Sequence, residues 1–434
     1  MNRKEEIKHV MNILSNLIIF AFITLSFGYV YCTKYSNANS KGNLAVVCIY
    51  MVILLLTTSC FNGNKFNHTK MLESVASYIL AIWFSNAMGY VIIYVANEKV
   101  KNVKTVLFLT LAQMAVVLIL FLLVSLINKR FFHRKKIILV QGKTPQKDFL
   151  LKIKNNTDGY DVCKKIDYKE GIEKVCRDVL DFDGVFLYDI PAEDRNAILK
   201  YCYKHNITCF VVPKISDIIM KGTDELYLVD TPIVLAENRG LYLTQRAIKR
   251  LFDIIISGVS IIITLPAMAI IAMVVKICDG GPVLYKQIRL TEKGRAFMMY
   301  KFRSMRLDAE DKGAQLAKEN DSRVTSVGGF LRNLHLDELP QLFNVFMGHM
   351  SMVGPRPERP EIFDKYRKDI PEFDFRLKVK AGLTGYAQVY GKYNTKPIDK
   401  LKLDLTYIQK YSFWLDLKLL ILTIKAIFRR ENWG

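Results

Sequence analysis

No two of the eight cysteines stand at Cys-x-x-Cys spacing; they lie at positions 32, 48, 60, 163, 176, 202, 209 and 278. That scatter suggests neither a zinc site nor a disulfide framework. Buried free thiols are the expectation, with Cys202 and Cys209 pairing only if the fold brings them together. Acidic residues are few: 41 Asp and Glu against 62 Lys and Arg give a formal net charge of +21. A surplus of that size calls for an acidic partner. Nucleic acid is set aside, because no helix-turn-helix pattern, zinc spacing or RNA-recognition signature is present. Anionic lipid and negatively charged substrates remain.

What the chain has in abundance is apolar length. Hydrophobic residues make up 51% of 434, enough chain for two or three domains. Charge-free runs at 10–33, 42–64, 74–97 and 105–128 are each long enough for a helix across a hydrocarbon core of about 30 Å. The first run is too long for a cleavable signal peptide, and no small-residue cleavage site follows it. Four spans place both ends of residues 1–130 on one side. Arg3, Lys4 and Lys8 at the start, with Lys129, Arg130, Arg134, Lys135 and Lys136 at the end, mark that side as cytoplasmic. Lys99, Lys101 and Lys104 in the third loop oppose this orientation but are outnumbered.

Residues 131–240 read as a small α/β, Rossmann-like module. Lys136-Ile-Ile-Leu-Val140, Gly184–Asp189 and Ile207–Pro213 have the composition of buried strands, and 192–204 that of a helix between them. A dinucleotide site needs a glycine-rich turn after the first strand. The sequence there is Gln141-Gly-Lys-Thr-Pro-Gln146, and one glycine cannot supply it. Scaffolding, dimerisation or regulation is the expected role.

Residues 241–434 form the third region, expected to be mainly α-helical. Its apolar run Ile254–Val275 is interrupted by Pro266. Length permits a fifth transmembrane helix, kinked at the proline. Lys249 and Arg250 before it, with Lys276, Lys286 and Arg289 after it, draw both flanks to the cytosol and favour a re-entrant helix. Near the end, Phe413, Leu417, Leu420, Ile421, Ile424 and Phe428 recur at helical spacing, with Lys418, Lys425 and Arg429 on another face. Such a helix lies in a membrane interface, or packs on a core with a solvated basic face.

Two stretches carry chemistry: Asn333-Leu-His-Leu-Asp-Glu-Leu-Pro-Gln-Leu-Phe-Asn344 and Met350-Ser-Met-Val-Gly-Pro-Arg-Pro357. Pro340 suits the first position of a helix and disfavours helical geometry at Leu339, so Asp337 and Glu338 are expected at a helix entrance. They either cap that helix or divide two roles, a nucleophilic carboxylate and a ligand for a hard cation. Arg356, between two prolines, presents a rigid guanidinium suited to phosphate oxygens, or forms part of a stiff turn. Lys301, Arg303 and Arg332 add cations, and phosphoryl transfer needs little more than positioned cations, a metal and a nucleophile.

With these stretches go Lys249-Arg-Leu-Phe-Asp253, Gly281-Pro-Val-Leu-Tyr-Lys-Gln287, Lys301-Phe-Arg-Ser-Met305 and Gly382-Leu-Thr-Gly-Tyr-Ala-Gln388. In this set the chain from about Arg246 onward resembles the bacterial sugar transferase family, the polyprenyl-phosphate hexose-1-phosphate transferases or monotopic phosphoglycosyl transferases. The whole layout resembles its larger members. The resemblance implies that Asp337 attacks a nucleoside diphosphate sugar, expected to be a UDP-sugar, and releases the nucleoside monophosphate. The sugar phosphate then passes to undecaprenyl phosphate, starting a capsule, exopolysaccharide or other glycoconjugate. It implies Mg²⁺ on Glu338, phosphate contact by Arg356, and basic roles for Lys301, Arg303 and Arg332. It also places the protein in the bacterial cytoplasmic membrane among its lipids, with its catalytic part facing the cytosol and a homodimer possible. His335 stands where the family usually has Ser, His349 where it has Asp, and Ala381 where it has Pro. The break at Leu265-Pro266 puts Thr264 one place early. A silent membrane scaffold for glycan assembly, and a redox- or nucleotide-sensing regulator acting through 136–240, are the rival readings.

Overall fold

The computed structural model describes residues 3–35, 40–61, 71–97, 102–131, 134–142, 150, 153, 160–222, 224–236, 240–306, 309, 321, 323–391 and 395–427. Residues 62–64 of the second apolar run, Lys99, Lys101, residues 143–146 and Phe428, Arg429 and Arg430 lie outside this set, as do the side chains of Arg3, Lys4, Lys8, Lys129, Ile424 and Lys425. The chain divides into two compact units, Met1–Val212 and Pro213–Gly434.

In the first unit the four apolar runs form α1 (Arg3–Lys34), α2 (Ser40–Cys60), α3 (Met71–Asn97) and α4 (Val103–Phe131). Both α1 and α3 pack on α2 and on α4, making an up-and-down bundle. Ile23, Phe27, Tyr50, Leu54, Tyr78, Ile82 and Phe121 fill its centre. Leu25, Phe108 and Leu111 point outward, 72%, 75% and 65% exposed, which suits a hydrocarbon surrounding. Polar side chains are turned inward. Tyr50 Oη donates to Asn86 Oδ1 (2.7 Å), and Asn86 Nδ2 donates to Thr110 Oγ1 (2.9 Å) and Gln113 Oε1 (2.8 Å). Gln113 Nε2 reaches Ser26 Oγ at 2.7 Å, so one network ties all four helices where apolar burial alone cannot choose partners.

The same unit continues into β1 (Lys135–Gln141), β2 (Tyr160–Asp167), α5 (Ile172–Val179), β3 (Gly184–Tyr188), α6 (Ala192–Lys204) and β4 (Thr208–Val211). All strands are parallel, in the order β2-β1-β3-β4. The expected α/β module is present, with one strand more than the sequence pattern predicts. β2 is that strand: it lies at the sheet edge and buries only Ile166, so its Lys164 and Lys165 hide it from a hydrophobicity reading. Gly142 explains itself by packing, since a Cβ there would sit 1.7 Å from Asp189 O.

In the second unit come α7 (Ile215–Lys221), the hairpin β5–β6 (Asp224–Leu228, Thr231–Leu235), α8 (Leu243–Asp279), and the hairpin β7–β8 (Leu284–Leu290, Ala296–Phe302). Then follow α9 (Ser326–Asn333), a 3₁₀ turn (Leu336–Glu338), α10 (Gln341–Met347), β9 (Ser351–Val353) and α11 (Pro360–Asp369). A second 3₁₀ segment (Pro371–Lys378), β10 (Gly382–Thr384), α12 (Tyr386–Tyr390), α13 (Pro397–Gln409) and α14 (Phe413–Ile427) complete it. Helices predominate as expected, and three two-stranded sheets join them.

α8 runs through Pro266 as one helical segment of 37 residues. With α1–α4 it makes five helices, among the described residues, that are long and apolar enough to cross a membrane, and the chain is a membrane protein. Both halves of α8 pack on the same unit. Ahead of Pro266, Asp253 Oδ1 accepts from Ser351 Oγ (3.0 Å) and Met352 N (2.8 Å), and Arg250 donates to Val345 O and Phe346 O at 2.8 Å. Beyond it, Met268, Ile271 and Val275 share a core cluster with Phe302 and Leu331. On α14 the most withdrawn side chains are Asp416, Leu419 and Leu422; Leu417, Leu420 and Ile421 are half-buried, and Trp414 is 66% exposed.

Candidate active site

Asp337 and Glu338 sit one step earlier than a helix entrance. They occupy the 3₁₀ turn, Leu339 is itself helical (φ −53°, ψ −38°) despite the following proline, and Pro340 precedes α10. The turn is entered through His335 in the left-handed region (φ 56°). Neither carboxylate caps a helix. In a 3₁₀ turn neighbouring side chains diverge by about 120°, so the two carboxylates face different surroundings.

Glu338 Oε1 accepts from Lys301 Nζ and from Arg356 Nη2, each at 2.7 Å. Burial pushes its carboxyl up, but the charges of Arg356 and Lys301 and their hydrogen bonds outweigh that and hold it well below the usual carboxylate range. Asp337 is buried and makes no ion pair of this kind among the described residues. Burial pushes it up to about 6; Lys301 opposes this, Glu338 reinforces it, and Arg332 and Arg356 oppose it. His335 is held below the ordinary imidazole value, first by burial.

The structure thus brings together five of the six residues singled out from the sequence. Lys301 comes from β8, Arg332 from the last turn of α9, Asp337 and Glu338 from the turn, and Arg356 from the loop after β9. Arg303 is turned elsewhere. It is buried, its Nη2 donates to Gly280 O, and its Nη1 has no partner among the described residues.

Close backbone contact fixes the Arg356 loop. β9 and β10 pair in parallel, and a Cβ on Gly382 would lie 2.0 Å from Gly354 N, so two motifs far apart in sequence meet through glycines. Ala381 N donates to Thr291 Oγ1 at 3.1 Å, a bond that the usual proline could not make. Two arginines that the motif reading assigns no role in the site lie against this loop, Arg289 and Arg376. Their signal is weak, because each is a single residue outside the two chemical stretches.

Asp416 belongs to a buried structural cluster. It accepts from Lys249 Nζ at 2.5 Å and lies 2.8 Å from Tyr407 Oη, tying the start of α8 to α13 and α14.

Among the described residues a buried carboxylate outside any ion pair thus lies beside an ion-paired one, with Lys301, Arg332 and Arg356 around the two, in a chain that carries helices long and apolar enough to cross a membrane. Residues 244–430 match the family described as Bacterial sugar transferase. A Salmonella typhimurium protein named undecaprenyl-phosphate galactose phosphotransferase is 30% identical over 342 residues, 71% of each chain. The chain belongs to the bacterial sugar transferase family. It is also 41% identical over 213 residues to a Klebsiella pneumoniae protein named UDP-glucose:undecaprenyl-phosphate glucose-1-phosphate transferase, covering 48% of this chain and 45% of the relative. With an Aeromonas hydrophila protein named UDP-N-acetylgalactosamine-undecaprenyl-phosphate N-acetylgalactosaminephosphotransferase it shares 41% over 183 residues, 42% of this chain and 43% of the relative. Against these last two, the match spans less than half of the relative's length.

Proposed function

We propose that this protein transfers a sugar 1-phosphate from a UDP-sugar to undecaprenyl phosphate through an aspartyl-phosphosugar intermediate, initiating a surface glycan. The observation that carries the reading is the contrast within Asp337-Glu338: among the described residues one carboxylate has no ion pair, and the other is locked to Lys301 and Arg356. The Asp337 carboxylate attacks the sugar-bearing phosphorus, and the bond to the departing UMP oxygen breaks. An oxygen of the polyprenyl phosphate then attacks the same phosphorus, and Asp337 leaves as carboxylate. Lys301, Arg332 and Arg356 offset charge on the phosphoryl oxygens. Both bonds to Glu338 fall on Oε1, which leaves Oε2 for a hard cation. No group of three or more His, Cys, Asp or Glu side chains among the described residues could hold a metal alone. Mg²⁺ binds through one or two carboxylates, water and substrate phosphates, and Glu338 would supply one of these. When bound, it would neutralise diphosphate charge.

The catalytic part faces the cytosol in this proposal, and α8 is re-entrant. What supports the latter is the packing of segments on either side of Pro266 against one compact unit. Thr264 Oγ1 bonds Ser260 O at 2.7 Å, while Pro266 has no N–H for the carbonyl four residues back, which permits a bend there. The names of the relatives differ in the sugar, so the sugar is to be read from a donor panel.

The test is UMP release from a panel of UDP-sugars by purified protein with Mg²⁺ and undecaprenyl phosphate, beside Asp337→Ala. Release that needs lipid, metal and Asp337, with radiolabelled sugar phosphate trapped on wild type, is expected. Silence across all donors would favour the scaffold reading instead.

A further inference from the structure

The loop that carries Arg356 has prolines at 355 and 357, so it lacks two backbone donors but keeps all its carbonyls. Each of four successive carbonyls is taken by a donor from elsewhere. Gly382 N donates to Pro355 O (2.9 Å), Arg376 Nη2 to Arg356 O (2.9 Å), Arg289 Nη1 to Pro357 O (3.0 Å) and Leu290 N to Glu358 O (3.0 Å). The donors to the carbonyls of residues 356 and 357 are therefore guanidinium groups.

Both guanidiniums are themselves fixed. Arg376 is 3% exposed, its Nε and Nη2 reach Asp404 Oδ2 at 3.0 and 2.8 Å, and its Nη1 lies 3.6 Å from Glu358 Oε1. Asp404 comes from α13 and is buried. Arg289, on β7, donates through Nε and Nη2 to Gln287 Oε1 at 2.9 and 2.5 Å. A rigid loop needs only backbone partners or water to satisfy its carbonyls. Placing two charged forks there, one anchored to a buried acid, holds the loop at residue 356 and just beyond it, while Gly382 N holds the carbonyl before it.

We propose that Arg289 and Arg376 are positioning residues for the transfer reaction, acting through Arg356 by locking the backbone that presents its guanidinium to Glu338 and to substrate phosphate. This rests on the reaction proposed above. Neither residue needs to touch the substrate. A displacement of about 1 Å in a group that stabilises charge can cost about 100-fold in rate, so the loss is read in kcat.

The experiment is a double-mutant cycle on the full-length protein, with UMP release measured under saturating lipid and Mg²⁺. Arg289→Lys and Arg376→Lys keep the charge but lose the fork. Each is expected to lower kcat about 10- to 100-fold with KM for the UDP-sugar little changed. In an Arg356→Ala background neither should slow the enzyme further, because the side chain they position is gone. Losses that simply add to that of Arg356→Ala, or that appear only in KM, would overturn the proposal. Should Arg376→Lys melt early, the Arg289→Lys arm decides, since Arg289 bonds neutral acceptors and strands no buried acid. Activity that survives Asp337→Ala overturns the reaction and this inference together. Normal Asp337 dependence with additive arginine losses overturns this inference alone.

Discussion

At the scale of residues, two neighbouring carboxyls are driven in opposite directions by their surroundings, and the difference is measurable. Asp337, ordinarily near 3.8, is pushed by burial up to about 6. A carboxyl whose folded value lies above its unfolded one binds its proton more tightly when folded. It therefore stabilises the protein as pH falls through 6, and its charge costs stability above that point. The isosteric Asp337→Asn removes the buried charge. It is expected to abolish transfer, by at least about 1000-fold, while stabilising the metal-free protein at pH 7.5 by up to about 3 kcal/mol. Thermal unfolding beside the activity assay checks both. Glu338→Gln has the opposite sign, because it strands Lys301 and Arg356; a loss of about 1–3 kcal/mol of stability is expected, read as a lower melting temperature. An unchanged melting temperature in both would contradict the assigned electrostatics. A second expectation concerns rate. Only ionised Asp337 attacks, so pre-steady-state UMP release should fall below about pH 6, tenfold per unit. Glu338 adds to the upward push on Asp337, so residual activity in Glu338→Gln should show that acid limb displaced to lower pH. Residue types and spacing pick out the two carboxylates and, in Lys301, Arg332 and Arg356, three of the four expected cations that the structure gathers around them; Arg303 is the exception. Arg289 and Arg376 were not legible, because their work depends on which carbonyl each meets, a relation across 68 and 20 residues of chain.

At the scale of elements, legibility followed hydrophobic pattern. The four spans, β1, β3, β4 and α6 all stand out as apolar runs or strand–helix alternation, and each is found close to its expected position. β2 escapes because an edge strand with charged side chains has no apolar signature. β9 and β10 escape because they are three residues each and are set by glycine contacts between distant motifs. α8 poses the sharper question, since its composition fits a span and its flanking charges fit a return. Its natural reporter is Cys278, exposed at the far end. In a background lacking the other cysteines, an impermeant maleimide is expected to label Cys278 and a Tyr242→Cys substitution from the same, cytosolic face of sealed vesicles. Labelling from opposite faces would make α8 a fifth span and place Asp337 on a different footing to the bilayer. Pro266→Ala restores a backbone donor within the helix, and should shift some molecules to opposite-face labelling.

At the scale of the whole molecule, the chain separates into two compact units, and the candidate site lies entirely within one of them, Pro213–Gly434. The site's cations, carboxylates and positioning arginines come from β7, β8, α9, the 3₁₀ turn, the loop after β9, the second 3₁₀ segment and α13, all beyond residue 283. The family match begins only at residue 244. The described residues assigned to the site all belong to the second unit, and the bundle of the first is held by a polar network among its own helices. Under the proposed reaction, anchoring and organisation are the contributions expected of the first unit. Protein lacking residues 1–212 should still bind membranes through α8 and α14, and should retain Asp337-dependent UMP release in detergent with less than about a tenfold loss, roughly 1.4 kcal/mol of barrier. Its reduced form of assembly would be visible as a change in sedimentation if the first unit mediates self-association. A folded truncation in detergent that has lost all release would instead mean that the first unit completes the site, and the division of labour drawn from the position of the candidate residues would be wrong.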